Sequence, residues 1–171
     1  KQGRKLIAIG CYKAPQTGSD LDTGLGEPFF DYVYGADVAE VEVDTLTGRV
    51  QLINYISVHD VGKAINPELA AGQIYGGVCM GLGTALYEEY ELVKGRPKML
   101  NLDQYVIPTA VDMGEVEAVI LEGNLKEGPY GASSIGEPAL QIVAPAIVNA
   151  IFHATGRRIR DLPADLEKGF L

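Results

Sequence analysis

Between residues 39 and 58 apolar and polar side chains alternate with period two. Ala39, Val41 and Val43 interleave with Glu40, Glu42 and Asp44, and Val50, Leu52, Ile56 and Val58 continue the apolar set after Thr45-Leu46-Thr47-Gly48. Alternation of this kind predicts strands with one buried and one wet face, and the Thr-Gly segment predicts the turn that pairs them as a hairpin. Residues 5–12 predict a short strand, and residues 13–28, rich in Gly, Pro, Thr and Asp, a loop. Asn66-Pro67 is a helix start: Asn caps well and Pro suits the first turn. A helix is expected over 67–90 although Gly72, Gly76, Gly77, Gly81 and Gly83 all lie inside it. Each glycine costs about 1 kcal/mol relative to Ala. They therefore mark close packing or close approach to a ligand, or else the helix breaks near Gly76-Gly77. A second hairpin is expected over 88–100 with its turn at Lys94-Gly95-Arg96-Pro97, a short extended piece at Tyr105 to Pro108, and a strand over 115–122. A final helix is expected over 138–154, ending at Gly156. Its apolar stripe includes Ala139, Ile142, Val143, Ala146, Ile147 and Ile151. The class is α+β: β-hairpins with a glycine-rich helix and a C-terminal helix.

Length fits one domain covering 1–171. The net charge of -9, with no basic block, argues against nucleic acid or an anionic membrane as partner. No apolar run reaches the roughly 20 residues that cross a bilayer. Cys11 and Cys79 are far apart without metal-ligand spacing, and are read as buried reduced thiols. The start at Lys1, without Met, reads as mid-protein, so the chain is taken as a fragment.

Three segments could carry chemistry. In Gly131-Ala132-Ser133-Ser134-Ile135-Gly136-Glu137-Pro138, small residues allow backbone N–H groups to face a ligand. Pro138 is expected to hold Glu137 extended at a helix mouth, where the helix N-terminus favours a carboxylate. In Ala71-Gly72-Gln73-Ile74-Tyr75-Gly76-Gly77, the Gln73 amide offers donors and an acceptor among glycines. Taken alone, both segments are first of all packing features. His59-Asp60-Val61-Gly62 invites a catalytic dyad, but adjacent strand residues point to opposite faces. Asp60 is expected to close a turn with Gly62.

The succession Ala39 to Asp44, His59-Asp60-Val61-Gly62, Ile65-Asn66-Pro67, Gly72-Gln73-Ile74, Gly81-Leu82-Gly83, Gly128-Pro129-Tyr130-Gly131, Gly136-Glu137-Pro138 and Arg160-Asp161-Leu162-Pro163 resembles the C-terminal part of the molybdopterin-binding large subunit of the xanthine dehydrogenase and aldehyde oxidase family. The resemblance runs from about Tyr32 to the end and implies a cytoplasmic molybdenum hydroxylase. Such an enzyme hydroxylates a purine-like heterocycle or an aldehyde with oxygen derived from water. It further implies Glu137 as general base, Gln73 as a hydrogen-bond partner of the pterin, and Ala132, Ser133, Ser134 and Ile135 as the loop beside the molybdenum site, with no residue here a metal ligand. Ser133-Ser134 departs from the Lys-Gly of many members. The implied cofactor is molybdenum-molybdopterin in the parent enzyme, with iron–sulfur clusters and FAD on other domains or subunits; the fragment by itself is expected to hold none. Implied partners are the rest of the molybdopterin subunit, the iron–sulfur and flavin domains, and a small-molecule substrate. An inactive structural or assembly module of the same fold is the alternative, and the intact Gly136-Glu137-Pro138 favours the enzyme.

Overall fold

The computed structural model describes Gly3, residues 6–15 and residues 18–164. The predicted hairpin forms. β1 (Gly35–Val43) pairs antiparallel with β2 (Val50–Asp60), and β5 (Glu115–Leu121) joins β2 in parallel, giving the order β1-β2-β5. The turn between β1 and β2 is fixed by Asp44, whose carboxylate accepts from Leu46 N at 2.9 Å and Thr47 N at 3.3 Å.

The inward pattern of β2 departs from simple alternation. Glu40 pairs with Asn54 and Val41 with Leu52, leaving Ile53 as an extra residue in β2. This bulge shifts the phase by one. Val50 and Leu52 face the core as expected, but beyond the bulge Tyr55, Ser57 and His59 are the buried residues, while Ile56 is exposed.

α1 (Pro67–Leu86) begins as predicted, with the Asn66 side chain accepting from Leu69 N at 3.1 Å and Pro67 in the first turn. It does not break at Gly76-Gly77. It stops four residues short of the expected end, because Tyr87 N and Glu88 N both bond back to Gly83 O, at 2.9 and 2.8 Å. β3 (Leu92–Val93) and β4 (Arg96–Pro97) form the second hairpin. Its loop is the two residues Lys94 and Gly95, both at positive φ, as a type I′ turn requires.

The C-terminal helix is two helices. α2 (Pro138–Gln141) and α3 (Val143–Thr155) are separated at Ile142. Pro145 lacks an N–H for the Gln141 carbonyl and its ring crowds that carbonyl, so the helix cannot run through. Gly156 then ends α3 in the left-handed conformation, as expected, with its N–H bonded to Phe152 O at 2.7 Å.

The core lies between the sheet and the helices. Leu52, Tyr55, Ile74, Val78, Leu82 and Ile147 are almost fully buried there. The α1 glycines divide into two groups. A Cβ on Gly77 would sit 2.7 Å from Ala139 Cβ, and one on Gly81 would overlap Val143. Gly83 lies against Glu88 and Pro108, whereas Gly72 and Gly76 face open space. By length and hydropathy alone, Pro67–Leu86 and Pro138–Thr155 are both apolar enough to cross a membrane, contrary to the reading of the apolar runs. The buried part of each stretch, 39% and 28%, serves the crossing of these helices and their contact with the sheet.

Two other expectations fail. Residues 6–12 form no strand, since no partner strand lies beside them among the described residues; Leu6, Ile7 and Ile9 are exposed. Lys5 lies outside the described residues. Neither cysteine is buried: Cys11 is exposed in this unpaired segment, and Cys79 is half-buried on the flank of α1.

The bulge places a polar cluster inside. The Asp37 carboxylate accepts from the Tyr55 hydroxyl and from Ser57 Oγ, the latter at 2.8 Å. His59 is 1 % exposed; its Nε2 lies 3.9 Å from Asp37 Oδ1, and neither ring nitrogen has a hydrogen-bond partner among the described residues. Gly35 makes room for the ring, since a Cβ there would meet His59 Nδ1 at 2.8 Å. Burial pushes the His59 pKa down, and the Asp37 charge opposes this.

Two outcomes are expected. Gly81→Ala should lower stability by about 1–3 kcal/mol through overpacking, while Gly76→Ala should raise it by up to about 1 kcal/mol through helix propensity; denaturant midpoints of the chain compare the two. Because the folded pKa of His59 is depressed, the unfolded chain takes up its proton first as pH falls through the ordinary histidine value of about 6.5. Stability should therefore drop below that pH, by at most about 1.4 kcal/mol per pH unit. In His59→Phe, denaturation midpoints between pH 7.5 and 5.5 should show this component removed.

Candidate active site

Val61 and Gly62, just beyond β2, organise the surrounding loops. Val61 N donates to Leu121 O at 3.0 Å, and Val61 O accepts from Ser133 N at 2.8 Å. Gly62 has φ +65°, and a Cβ there would lie 2.8 Å from Ser133 N and run into Gly131 O. Only glycine allows this approach. Asp60 closes the turn with Gly62, as expected, its Oδ1 accepting from Gly62 N at 2.8 Å. The same oxygen accepts from Gly123 N at 2.9 Å, which the sequence did not indicate. Asp60 is thus a loop organiser, while its neighbour His59 faces the core; the two do not form a dyad. Glu122 adds a further tie, accepting from Lys63 Nζ at 2.8 Å and Ala64 N at 2.9 Å. These bonds, led by the one from Lys63, hold its carboxyl below the usual range.

The loop so anchored carries four of the candidate residues. Ala132, Ser133 and Ile135 are half-buried and Ser134 is exposed. Ile135 packs against the core. Ser133 Oγ donates to Asp31 Oδ2 at 2.7 Å. No pattern in the aromatic run around Asp31 points to that contact.

Glu137 is not extended. Its φ and ψ are −68° and −35°, in the right-handed helical region, and its carbonyl accepts from Leu140 N at 3.0 Å. The steric bias of a pre-proline residue is a preference; here the hydrogen-bonded turn that seats Ala139 against Gly77 outweighs it. Since α2 is a single turn, it offers Glu137 little of a helix dipole. Glu137 is exposed, and its carboxylate has no hydrogen-bond or ionic partner among the described residues.

Gln73 is exposed on α1, one turn before Gly77. Glu137 comes two residues before Ala139, which meets Gly77. Both therefore flank the crossing of α1 and α2. The Gln73 amide also lacks a partner among the described residues.

These features suit a flat, polar organic cofactor. Gly72 and Gly76 on either side of Gln73, and Gly136 beside Glu137, have open space where a Cβ would be. The N–H groups of Ser134, Ile135, Gly136 and Glu137 donate to no protein acceptor among the described residues. A run of unpaired N–H groups is a ready donor set for the oxygens and ring nitrogens of a bound group. Among the described residues no three of His, Cys, Asp or Glu converge, so what the chain offers is hydrogen bonds and shape.

Comparison with known proteins points the same way. The family described as molybdopterin cofactor-binding domain matches residues 1–114. An aldehyde oxidoreductase of Megalodesulfovibrio gigas is 40% identical over 152 residues, covering 89% of this chain and 16% of that protein. A probable xanthine dehydrogenase subunit of Bacillus subtilis is 39% identical over 139 residues, covering 81% of this chain and 19% of that one. The crystal structure of the aldehyde oxidoreductase from Desulfovibrio desulfuricans superposes with a TM-score of 0.76 at 40% identity, covering 82% of this chain and 15% of that chain. The chain thus spans less than a fifth of the length of these relatives. From the extent of the family match and the identity to these relatives, the chain belongs to the molybdopterin cofactor-binding domains of the aldehyde oxidoreductase and xanthine dehydrogenase family.

Proposed function

We propose that the chain, as one domain over 1–171, is the C-terminal portion of the large subunit of a cytoplasmic molybdenum hydroxylase, and that Glu137 is its general base. The observation that carries this reading is the unpartnered, exposed Glu137 carboxylate at the α1–α2 crossing, beside Gly136 and a run of unpaired N–H groups. The substrate is an aldehyde or a purine-like heterocycle, the two classes that the names of the relatives carry. When bound, the molybdenum-molybdopterin cofactor supplies a two-electron acceptor. Iron–sulfur clusters and FAD on other domains or subunits take the electrons onward.

The chain's own residues have three tasks. The Gln73 amide hydrogen-bonds the pterin edge, and the glycines around it let that edge come close to the helix backbone. The loop of Ala132, Ser133, Ser134 and Ile135 lies beside the metal site and presents to it the exposed Ser134 side chain and the unpaired N–H groups of Ser134 and Ile135. The Glu137 carboxylate would accept a proton from the water-derived oxygen that adds to the electron-poor substrate carbon, and the two electrons of the C–H bond broken there would pass to the acceptor that the cofactor supplies. A base placed in this way contributes about 10²–10⁴ in rate.

Glu137→Gln in the full-length enzyme keeps the size and removes the base. Molybdenum content should be retained, while single-turnover reduction by substrate slows by about 10² or more. Near-normal reduction in a molybdenum-replete variant would overturn the assignment. The isolated chain holds only part of the contacts that a cofactor of this size needs. Elemental analysis of the chain, expressed in cells that make the cofactor, should find far less than one molybdenum per molecule.

A further inference from the structure

Between Ser133 and Ala139 the chain has few restraints of its own. Ile135 packs on the core, but Ser134, Gly136 and Glu137 are exposed, and Gly136 has open space around it. The position of the Glu137 carboxylate therefore depends on how well the two ends of this short span are held. The far end is firm, since Ala139 is fully buried against Gly77. The near end is held at Ser133 by two bonds of different kinds. Its N–H donates to Val61 O at 2.8 Å, which ties the backbone to the end of β2. Its hydroxyl donates to Asp31 Oδ2 at 2.7 Å, which ties it to a segment 102 residues earlier in the chain.

That earlier segment is itself fixed close by. Tyr34 O accepts from Asp60 N at 2.9 Å, and Asp60 holds Gly62 and Gly123 through its carboxylate. Asp31 to Tyr34 is thus a strap anchored at the end of β2 and fastened to the candidate loop by one charge-assisted bond. Bonds of this type are shorter and about twice as strong as neutral ones. A hydroxyl donor to a carboxylate also has a defined direction, so the bond orients Ser133 as well as holding it.

We propose that Asp31 is a positioning residue that, through the Ser133 hydroxyl, fixes the loop from which Glu137 is aimed. This rests on the reading of Glu137 as the base. Asp31 acts through Ser133, and the small side chain at 133 is what lets a carboxylate from the strap reach the loop. Loss of the bond leaves Ser133 held by its backbone alone and gives the loop freedom at its near end. Small displacements of a reacting group, on the order of 1 Å, can cost up to about 10²-fold in rate.

The test uses the full-length enzyme and four variants: Asp31→Ala, Asp31→Asn, Ser133→Ala and the double Asp31→Ala/Ser133→Ala. Molybdenum content, thermal midpoint, kcat and KM are measured for each. Asp31→Ala and Ser133→Ala should each lower kcat about tenfold per molybdenum, with KM changed little. The double variant should fall no further than either single one, because both remove the same bond. Asp31→Asn keeps an acceptor oxygen and should recover most of the rate, which a general loss of folding would not allow. Wild-type kcat in Asp31→Ala, no recovery in Asp31→Asn, or additive losses in the double variant would overturn the proposal. Should Asp31→Ala fail to fold, Ser133→Ala alone decides by the same rate criterion. Full activity in Glu137→Gln would remove the underlying reading instead, whereas an inactive Glu137→Gln beside fully active Asp31→Ala and Ser133→Ala would remove the clamp alone.

Discussion

The structure depends first on the close crossing of α1 with the α2–α3 pair. Gly77 receives the backbone and methyl of Ala139, and Gly81 receives the side chain of Val143, with no side chain from α1 itself at either point. Such contacts have little room to adjust, because a packed interior gives way poorly to even one added methyl group. The crossing sets the height of the helices over the sheet, and Ile74, Val78, Leu82 and Ile147 fill the space between. It also sets where Gln73 and Glu137 stand, since each is within one turn of Gly77 or Ala139. One set of contacts thus builds the core and places the candidate site.

The polar interior beneath β1 is the counterpart of this tight apolar joint. Asp37 gathers Tyr55 and Ser57 by hydrogen bonds, while His59 is enclosed beside the same carboxylate with no hydrogen-bond partner for its ring nitrogens among the described residues. Burial pushes the Tyr55 hydroxyl well above its usual range, with the Asp37 hydrogen bond and charge acting the same way. The cluster lies on the core face of the hairpin, whereas the candidate loop lies beyond the end of β2. The two polar regions of the chain are therefore separate in structure, although His59 and Asp60 are neighbours in sequence.

What the sequence made legible was what a local pattern determines. The β1–β2 hairpin, the Asn66-Pro67 cap, β5 and the stop at Gly156 each follow from a few neighbouring residues. The role of Asp60 at its own turn was equally local. What escaped was set by distant partners or by a local rule overridden. Residues 6–12 have strand composition but nothing to pair with among the described residues. Pro145 breaks a helix whose apolar stripe reads as continuous. Glu137 takes a helical conformation against the pre-proline bias, because the turn it starts is held by contacts made at Ala139. The Asp31–Ser133 bond spans 102 positions, and no periodicity reports a contact of that range. The residues proposed for the site were named from a resemblance; their surroundings, free amides and open glycines, came from the structure.

The bulge at Ile53 bears on how such a chain can change its length. β2 is in effect two half-strands out of step by one residue, with Ile53 absorbing the difference and its carbonyl pressed close to Gly114. Adding or dropping a single residue in β2 reverses which side chains point inward, unless the bulge gains or loses that same residue. Substitutions in the strand are therefore felt one position at a time, while a one-residue insertion or deletion exchanges a whole face. Related sequences that differ in length across this hairpin should do so in steps of two, or at the bulge itself.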